Sequence, residues 1–190
     1  MAVPEKVKIV GLGGSLKEGS ASLLTLRVAL EGAASVGAET ELLDIRTLDL
    51  PMYTPDTVPT AAVQRLVDTV GPAHGMIWSS PVYHGSISGA FKNVLDWMEL
   101  LNKHEPAYLT DKVVGLIATA GGVQGMHAIS TMEFVVRALR GWTLPLVAPI
   151  DRAGQAFDET GQIRDDKLRA RLLQVGTETA QAARKMSRPL

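Results

Sequence analysis

The sequence of 190 residues contains no cysteine. This absence excludes disulfide bonds, thiolate metal sites, iron–sulfur clusters bound by the chain's own cysteines, and a cysteine nucleophile. Long apolar runs are also missing, since none approaches the ~20 residues that a membrane-spanning helix needs. The first residues lack the apolar segment and cleavage site of a signal peptide. We therefore expect a cytoplasmic protein with no membrane partner.

An excess of charge of either sign is absent as well. The formal net charge is −1, with 21% charged and 46% hydrophobic residues, which is close to ordinary globular composition. Such a chain has no strong field to attract nucleic acid, so no nucleic-acid partner is predicted. A length of 190 residues supports one substantial core but not two, which predicts a single domain over residues 1–190.

Several common motifs fail at specific positions. The four histidines have no HxxxH or similar spacing, so no metal site is predicted. A Walker loop would need Lys and Ser/Thr where the chain has Ser20 and Ala21. A dinucleotide-binding fingerprint fails because Leu16 replaces its third glycine, and a nucleophile elbow fails because Ile87 holds the position of the serine.

Strand and helix patterns alternate five times along the chain. The predicted strands are residues 7–12, 39–45, 75–79, 112–119 and 144–148. The predicted helices are residues 22–36, 60–70, 89–101, 129–139 and 165–185. This alternation predicts an α/β fold, with a five-stranded parallel sheet covered by helices on both faces. Ligands bind such sheets at the carboxyl ends of the strands, where three loops rich in glycine or serine are expected to meet.

The first of these loops, residues 13–22, suits a phosphate group. It offers the hydroxyls of Ser15, Ser20 and Ser22 and the positive charge of Lys17. The start of the following helix adds about half a positive charge, so the loop favours a phosphate monoester dianion. The alternative interpretation is a helix N-cap with a solvent-facing lysine, which serine and glycine build without a ligand.

The second loop and the helix after it carry the most specific pattern. The residues that fit P-x-Y-x-x-S-x-x-G/P-x-x-K-N-x-[IL]-D are Pro81, Tyr83, Ser86, Gly89, Lys92, Asn93, Leu95 and Asp96. The residues that fit a GSxRxxSxS/N phosphate loop are Gly14, Ser15, Lys17, Ser20 and Ser22. With these motifs and the DLPMY segment at residues 49–53, the chain resembles the NAD(P)H-dependent FMN reductase family. Lys17 departs from the arginine that is common there, and lysine has no bidentate fork for phosphate.

This resemblance implies a flavodoxin-like, doubly wound sheet of strand order 2-1-3-4-5, with FMN and NAD(P)H as cofactors. The residues implied to bind the cofactor are Ser15, Lys17, Ser20, Ser22, Pro81, Val82, Tyr83, His84, Gly85, Ser86, Ala120, Gly121 and Gly122. No catalytic side chain is expected, because the cofactors carry the electronic chemistry.

Within that set, the side chains of Tyr83 and His84 are expected to pack beside the flavin ring. Gly85 is expected to let the backbone lie close to the ring. Backbone N–H groups of the third loop, residues 119–125, are expected to stabilise negative charge on the reduced flavin. Three alternatives stay open at this point. Tyr83 is a packed aromatic, Ser86 or Ser88 is only a helix cap, and the third loop is a plain turn.

The resemblance implies an enzyme that reduces bound FMN with NADH or NADPH. The electrons then pass to a small acceptor, which is free flavin, a quinone, an azo dye or an oxidised metal species. One alternative is a flavodoxin-type FMN carrier without nicotinamide turnover, although such carriers are usually strongly acidic. Another is a protein that binds a phosphate ligand without redox chemistry.

A homodimer or homotetramer is also expected. The predicted helix at residues 89–101 has apolar groups around more than one face, contributed by Trp97, Met98, Leu100 and Leu101. One face packs on the sheet and leaves the other for a symmetric partner. The alternative interpretation is that Trp97 covers the domain's own core.

Overall fold

Five parallel strands form the main sheet of the computed structural model, which describes residues 6–187. The strands in chain order are β1 (Lys8–Gly13), β2 (Glu39–Asp44), β3 (Gly75–Tyr83), β4 (Ser86–Ile87), β5 (Val113–Thr119) and β6 (Trp142–Ile150). The sheet order is β2-β1-β3-β5-β6, and the two-residue β4 pairs only with the end of β3. The five long strands therefore have the predicted order 2-1-3-4-5. Residues 1–5 and 188–190 of the predicted domain lie outside the described residues.

Helices cover both faces of this sheet, as predicted. They are α1 (Ala21–Ser35), α2 (Ile45–Leu48), α3 (Ala61–Val70), α4 (Gly89–Trp97), α5 (Gly125–Ala138) and α6 (Asp166–Met186). Alternate residues of β1 enter different cores: Ile9 packs with residues of α1 and α6, whereas Val10 and Leu12 pack with residues of α3, α4 and α5. A parallel strand buried on both faces is apolar throughout for this reason. Within residues 6–187, no helix is long and apolar enough to cross a membrane.

Strand β3 and its continuation differ from the prediction. We expected a strand that ends at residue 79 and a loop over residues 81–88, but β3 runs to Tyr83 and turns back into β4. The connection has only two residues, His84 (φ 51°) and Gly85 (φ 79°). Two successive positive φ angles are typical of a type I′ hairpin turn, whose twist matches that of the flanking strands. The second loop is therefore a short hairpin.

Helix boundaries differ from the prediction where long-range contacts set them. Helix α5 begins at Gly125, four residues before the predicted start, because a carboxylate oxygen of Asp151 accepts a hydrogen bond from its amide at 3.0 Å. Helix α4 ends at Trp97 and continues as a 3₁₀ helix over Met98–Lys103. The short helix α2 lies in a segment that we expected to be irregular.

Helices α1 and α6 touch at two glycines. A Cβ at Gly32 would lie 2.1 Å from the carbonyl oxygen of Leu173, and one at Gly176 would lie 1.7 Å from that of Ala29. Any other residue would push the two helices apart. The chain segment that precedes α6 lies beside the start of α1, where a Cβ at Gly161 would lie 3.5 Å from a side-chain carbon of Leu24.

Candidate active site

A cavity of about 650 Å³ lies where β1, β3 and β5 end. Its volume is within the range of clefts that hold cofactors and small molecules. Nine of the thirteen predicted residues line it: Ser15, Lys17, Ser20, Ser22, Pro81, Val82, Tyr83, Ala120 and Gly121. The other four, His84, Gly85, Ser86 and Gly122, lie outside this lining. The structure thus brings parts of all three predicted loops to one cavity.

Two glycines allow the backbone of the first loop to lie against the end of β3. The amide of Gly14 donates to the carbonyl oxygen of Ser79 at 3.1 Å, and a Cβ at Gly13 would lie 2.1 Å from the same oxygen. Gly14 has a φ of +97°, a conformation that side-chain-bearing residues rarely adopt. These two glycines are therefore required by the loop itself, with or without a ligand.

Hydroxyls and a helix start give the first loop its donors. The side chain of Ser20 caps α1, since its Oγ accepts from the amide of Leu23 at 3.3 Å. The Oγ of Ser15 accepts from the amide of Lys17 at 3.2 Å. A hydroxyl that accepts in this way still has its own hydrogen to donate. No acidic residue occupies the first turn of α1 at residues 21–24, so the positive end of the helix is not neutralised there.

The second loop places Tyr83 at the cavity wall. Its side chain is 56% exposed, and it also lines a neighbouring cavity of about 260 Å³. The alternative of a packed core aromatic is therefore wrong.

The helix-cap alternative is correct for Ser88, whose Oγ accepts from the amide of Phe91 at 3.1 Å at the start of α4. Ser86 instead pairs with Tyr83 in the hairpin.

In the third loop, the backbone of Ala120 is hydrogen-bonded within the protein, whereas Gly121 and Gly122 border open space. Ala120 donates its N–H to Ile150 and accepts from Ala153, both at 2.8 Å. Ala120 therefore lines the cavity but has no N–H left for a cofactor, contrary to the role we expected. At Gly121 and Gly122, φ is not positive and a Cβ would meet no atom of the described chain within 4 Å. The fold itself does not need glycine at these two positions, so their open space is available to a ligand.

A fourth wall was missed by the sequence prediction. Residues 153–161, which follow β6, supply part of the lining, including Phe157, Asp158 and Glu159. A carboxylate oxygen of Asp158 accepts from the amides of Thr160 and Gln162, each at 2.9 Å, and holds the turn. The hydrogen bond from the Thr160 side chain, with these amides, lowers the pKa of Asp158. The turn signal D-E-T-G after the last strand could have indicated this wall, because that strand ends at the same edge.

Part of the predicted family motif has a structural role. The side chain of Asn93 accepts from the amide of Tyr53 at 2.8 Å and donates to the carbonyl of Pro51 at 2.9 Å. The indole N–H of Trp97 donates to the same carbonyl of Pro51 at 2.8 Å. Helix α4 thereby holds the DLPMY segment in place beside the site.

The basis that we gave for oligomerisation is wrong. Trp97, Met98 and Leu101 are each at most 1% exposed and belong to the chain's own core. The alternative interpretation of Trp97 is the correct one. An oligomer is still a prediction, and it needs a different surface.

Metal ligands are not grouped at this edge or elsewhere in residues 6–187, where no three or more His, Asp or Glu side chains come together. The titratable side chains that line the main cavity within the described residues are Lys17, Tyr83, Asp158 and Glu159. None of them is a histidine.

Comparison with known proteins identifies the family. The family model described as NADPH-dependent FMN reductase matches residues 7–155. A reductase of that name, ArsH from Acidithiobacillus ferrooxidans, is 32% identical over 90% of this chain and 71% of its own length. An NAD(P)H:quinone oxidoreductase of Solanum tuberosum is 26% identical over 90% of both chains.

The fold is shared with a flavoenzyme of known structure. The NAD(P)H:(acceptor) oxidoreductase FerB from Paracoccus denitrificans superposes with a TM-score of 0.76 at 21% identity, over 94% of this chain and 98% of that chain. The flavodoxin-like fold is thereby confirmed, and the family match confirms a flavin-dependent oxidoreductase with FMN and NAD(P)H as cofactors. The chain belongs to the NADPH-dependent FMN reductase family.

Proposed function

We propose that this protein uses NAD(P)H to reduce FMN and passes the electrons to a small acceptor in the cytoplasm. One observation carries the proposal: the phosphate-type loop, Tyr83 of the second loop and Gly121 of the third loop border a single cavity of about 650 Å³. FMN, when bound there, supplies the two-electron redox chemistry.

The first loop would hold the phosphate of FMN. Lys17 supplies a full positive charge, and Ser15 and Ser20 supply O–H donors that the loop's own hydrogen bonds leave unused. The uncompensated start of α1 adds to the attraction. The same loop that caps the helix thus fits a dianion, so the cap and phosphate interpretations are compatible.

The second and third loops would hold the ring. Tyr83 forms an exposed wall of the cavity, and Gly121 and Gly122 leave space that a Cβ would occupy. Their amides suit the polar edge of a flavin because they require no reorganisation as charge develops. Of the acidic groups in the lining, Asp158 has a lowered pKa and is a poor proton donor. We assign orientation and electrostatics to these residues, since the cofactors carry the electronic chemistry.

The acceptor is proposed to be a quinone or free flavin, with an azo dye or an oxidised metal species as further candidates. The similarity to the quinone oxidoreductase of Solanum tuberosum supports the first of these.

A visible spectrum of the purified protein, with added FMN if needed, tests the proposal. We expect flavin absorbance that bleaches after anaerobic addition of NADPH or NADH and returns when a quinone is added. A protein that binds FMN but is not bleached by either nicotinamide would be an electron carrier. A protein that binds no FMN would contradict the proposed site.

We further propose a homodimer, or a dimer of dimers, that forms through α5. Phe134 and Met126 on this helix are 74% and 50% exposed, and Trp142 at the start of β6 is 59% exposed. Light scattering should give about twice the chain mass of 20.3 kDa, or four times it. Phe134→Glu should shift the mass towards the monomer, and a wild-type monomer at micromolar concentration would refute the idea.

A further inference from the structure

A buried hydrogen bond joins two of the loops around the cavity. The Oγ of Ser22 lies 2.6 Å from the Oγ1 of Thr119, although the two residues are 97 positions apart in the chain. Ser22 is the second residue of α1, and Thr119 is the last residue of β5. They are 1% and 5% exposed, and both line the main cavity.

The pair has one more hydrogen than it uses. Each hydroxyl carries one hydrogen and two lone pairs, and a single hydrogen lies between the two oxygens. For the other hydrogen, the hydrogen bonds of the described residues include no acceptor. The nearby hydroxyl of Thr25 donates its hydrogen to the backbone carbonyl of Ser22, so it does not donate to the Ser22 hydroxyl. One hydroxyl hydrogen of the pair is therefore available to a ligand, and it can come from either Ser22 or Thr119.

We propose that Thr119 is a positioning residue that selects phosphorylated flavin by orienting the hydroxyl of Ser22. The inference rests on the proposed FMN site. Ser22 stands beside Ser20, at the positive end of α1 and in the loop that carries Lys17, so an anion here accepts the hydrogen of Ser22. The hydroxyl of Thr119 then donates to Ser22, which completes the chain Thr119 to Ser22 to phosphate.

This arrangement makes the effect of Thr119 specific to the phosphate. A hydroxyl that itself accepts a hydrogen bond becomes a stronger donor, because successive hydrogen bonds polarise one another. Riboflavin lacks the phosphate, so it cannot fix the direction of the chain or gain from it. Thr119 thus contributes to the choice of FMN over riboflavin without touching the phosphate.

Fluorescence-quenching titrations of the flavin-free protein with FMN and with riboflavin test the proposal. Thr119→Val should weaken FMN about fivefold, the contribution of one ordinary hydrogen bond, and should change riboflavin less than about twofold. Ser22→Ala should weaken FMN about tenfold or more, since the bond to the anion is charge-assisted. The double variant should bind FMN no more weakly than Ser22→Ala, and Thr119→Ser should restore wild-type affinity.

Thr179→Val is the matched control. Thr179 is fully buried and donates to the carbonyl of Val175 within α6, so its loss removes a buried hydroxyl away from the cavity. This variant should keep the wild-type ratio of FMN to riboflavin affinity. Thermal unfolding of each variant checks that it is folded.

Three results would overturn the proposal: unchanged FMN affinity in Thr119→Val, equal losses for the two flavins, or additive losses in the double variant. If Thr119→Val does not fold, Ser22→Ala decides alone, because equal losses for the two flavins would again contradict it. Wild-type protein that binds neither flavin would instead refute the proposed function, so the two failures are distinguishable.

Discussion

The two edges of the sheet differ in how their buried polar side chains are paired. At the amino edge, the ammonium of Lys112 donates to the carbonyls of Gly71 at 2.9 Å and Ala73 at 2.6 Å. The Nδ1 of His74 accepts from the amide of Lys8 at 3.0 Å. Burial lowers the pKa of Lys112, and burial together with the nearby Lys112 charge lowers that of His74. Both side chains are therefore hydrogen-bonded to backbone groups at this edge.

At the carboxyl edge, several hydroxyls that line the cavity keep unused donors. The hydroxyls of Ser15 and Ser20 accept from backbone amides, and the Ser22–Thr119 pair uses one of its two hydrogens. These hydroxyls line the main cavity, so a bound ligand can accept their unused hydrogens. The buried side chains of the amino edge thus bind the backbone, whereas the hydroxyls that line the cavity have hydrogens left for a ligand.

The largest expected effect concerns the amino edge. Lys112→Met should lower the free energy of unfolding by about 3 kcal/mol, because it leaves two buried carbonyls without their charged donor. Urea denaturation measures the loss, and the remaining folded protein should bind FMN normally. Lys92→Met is the control, since Lys92 forms only an exposed ion pair with Asp96 and should cost less than ~1 kcal/mol. A Lys112 variant as stable as the control would remove the contrast between the edges.

Ser20→Ala should affect both stability and binding, because Ser20 is a cap and a proposed phosphate ligand. The lost cap should cost about 1 kcal/mol in unfolding free energy. The lost donor should weaken FMN about tenfold or more. Thr60→Ala removes the equivalent cap of α3, where the side chain accepts from Val63, and should cost stability without changing FMN affinity. Parallel behaviour of the two variants in FMN titrations would mean that Ser20 is only a cap.

The sequence was sufficient to predict those parts of the fold that depend on local patterns. Apolar strands, helical periodicity and glycine-rich exits place β1, α1 and the first loop within one or two residues of their observed bounds. The hairpin after β3 was missed because its turn is His84-Gly85, whereas Asn-Gly and Asp-Gly are the common signals for that turn type. A histidine at φ 51° is not predictable from its neighbours in the chain.

Other features depend on contacts between distant residues. The early start of α5 depends on Asp151, which is 26 positions from Gly125. The Ser22–Thr119 bond and the fourth wall of the cavity likewise require the tertiary structure. Periodicity alone cannot distinguish whether Trp97 faces its own core or a partner, because both burial modes need an apolar helix face.

Lys17 tests whether the carboxyl edge attracts phosphate by charge. Lys17→Ala should weaken FMN about tenfold at low ionic strength, which corresponds to ~1.4 kcal/mol. The loss should shrink at about 1 M salt, where the screening length falls to ~3 Å. Lys17→Arg should bind FMN at least as tightly as wild type, since a guanidinium binds phosphate in a bidentate manner. Riboflavin affinity should not change in either variant, and a loss that is equal for both flavins would contradict a phosphate contact.

The smallest expected effect concerns His74 and pH. Its folded-state pKa lies below the ordinary value of 6.5, so the folded protein resists protonation that the unfolded chain accepts. Stability is therefore fully present above about pH 6.5 and decreases as the pH falls from there towards the folded pKa. Urea denaturation at a series of pH values measures this loss. His74→Asn should flatten the pH dependence of stability, while the side-chain oxygen of the asparagine can still accept from the amide of Lys8.

FMN affinity should change equally with pH in wild type and variant, because His74 lies at the edge away from the cavity. A pH effect on binding that disappears in His74→Asn would couple the two edges and break the contrast between them.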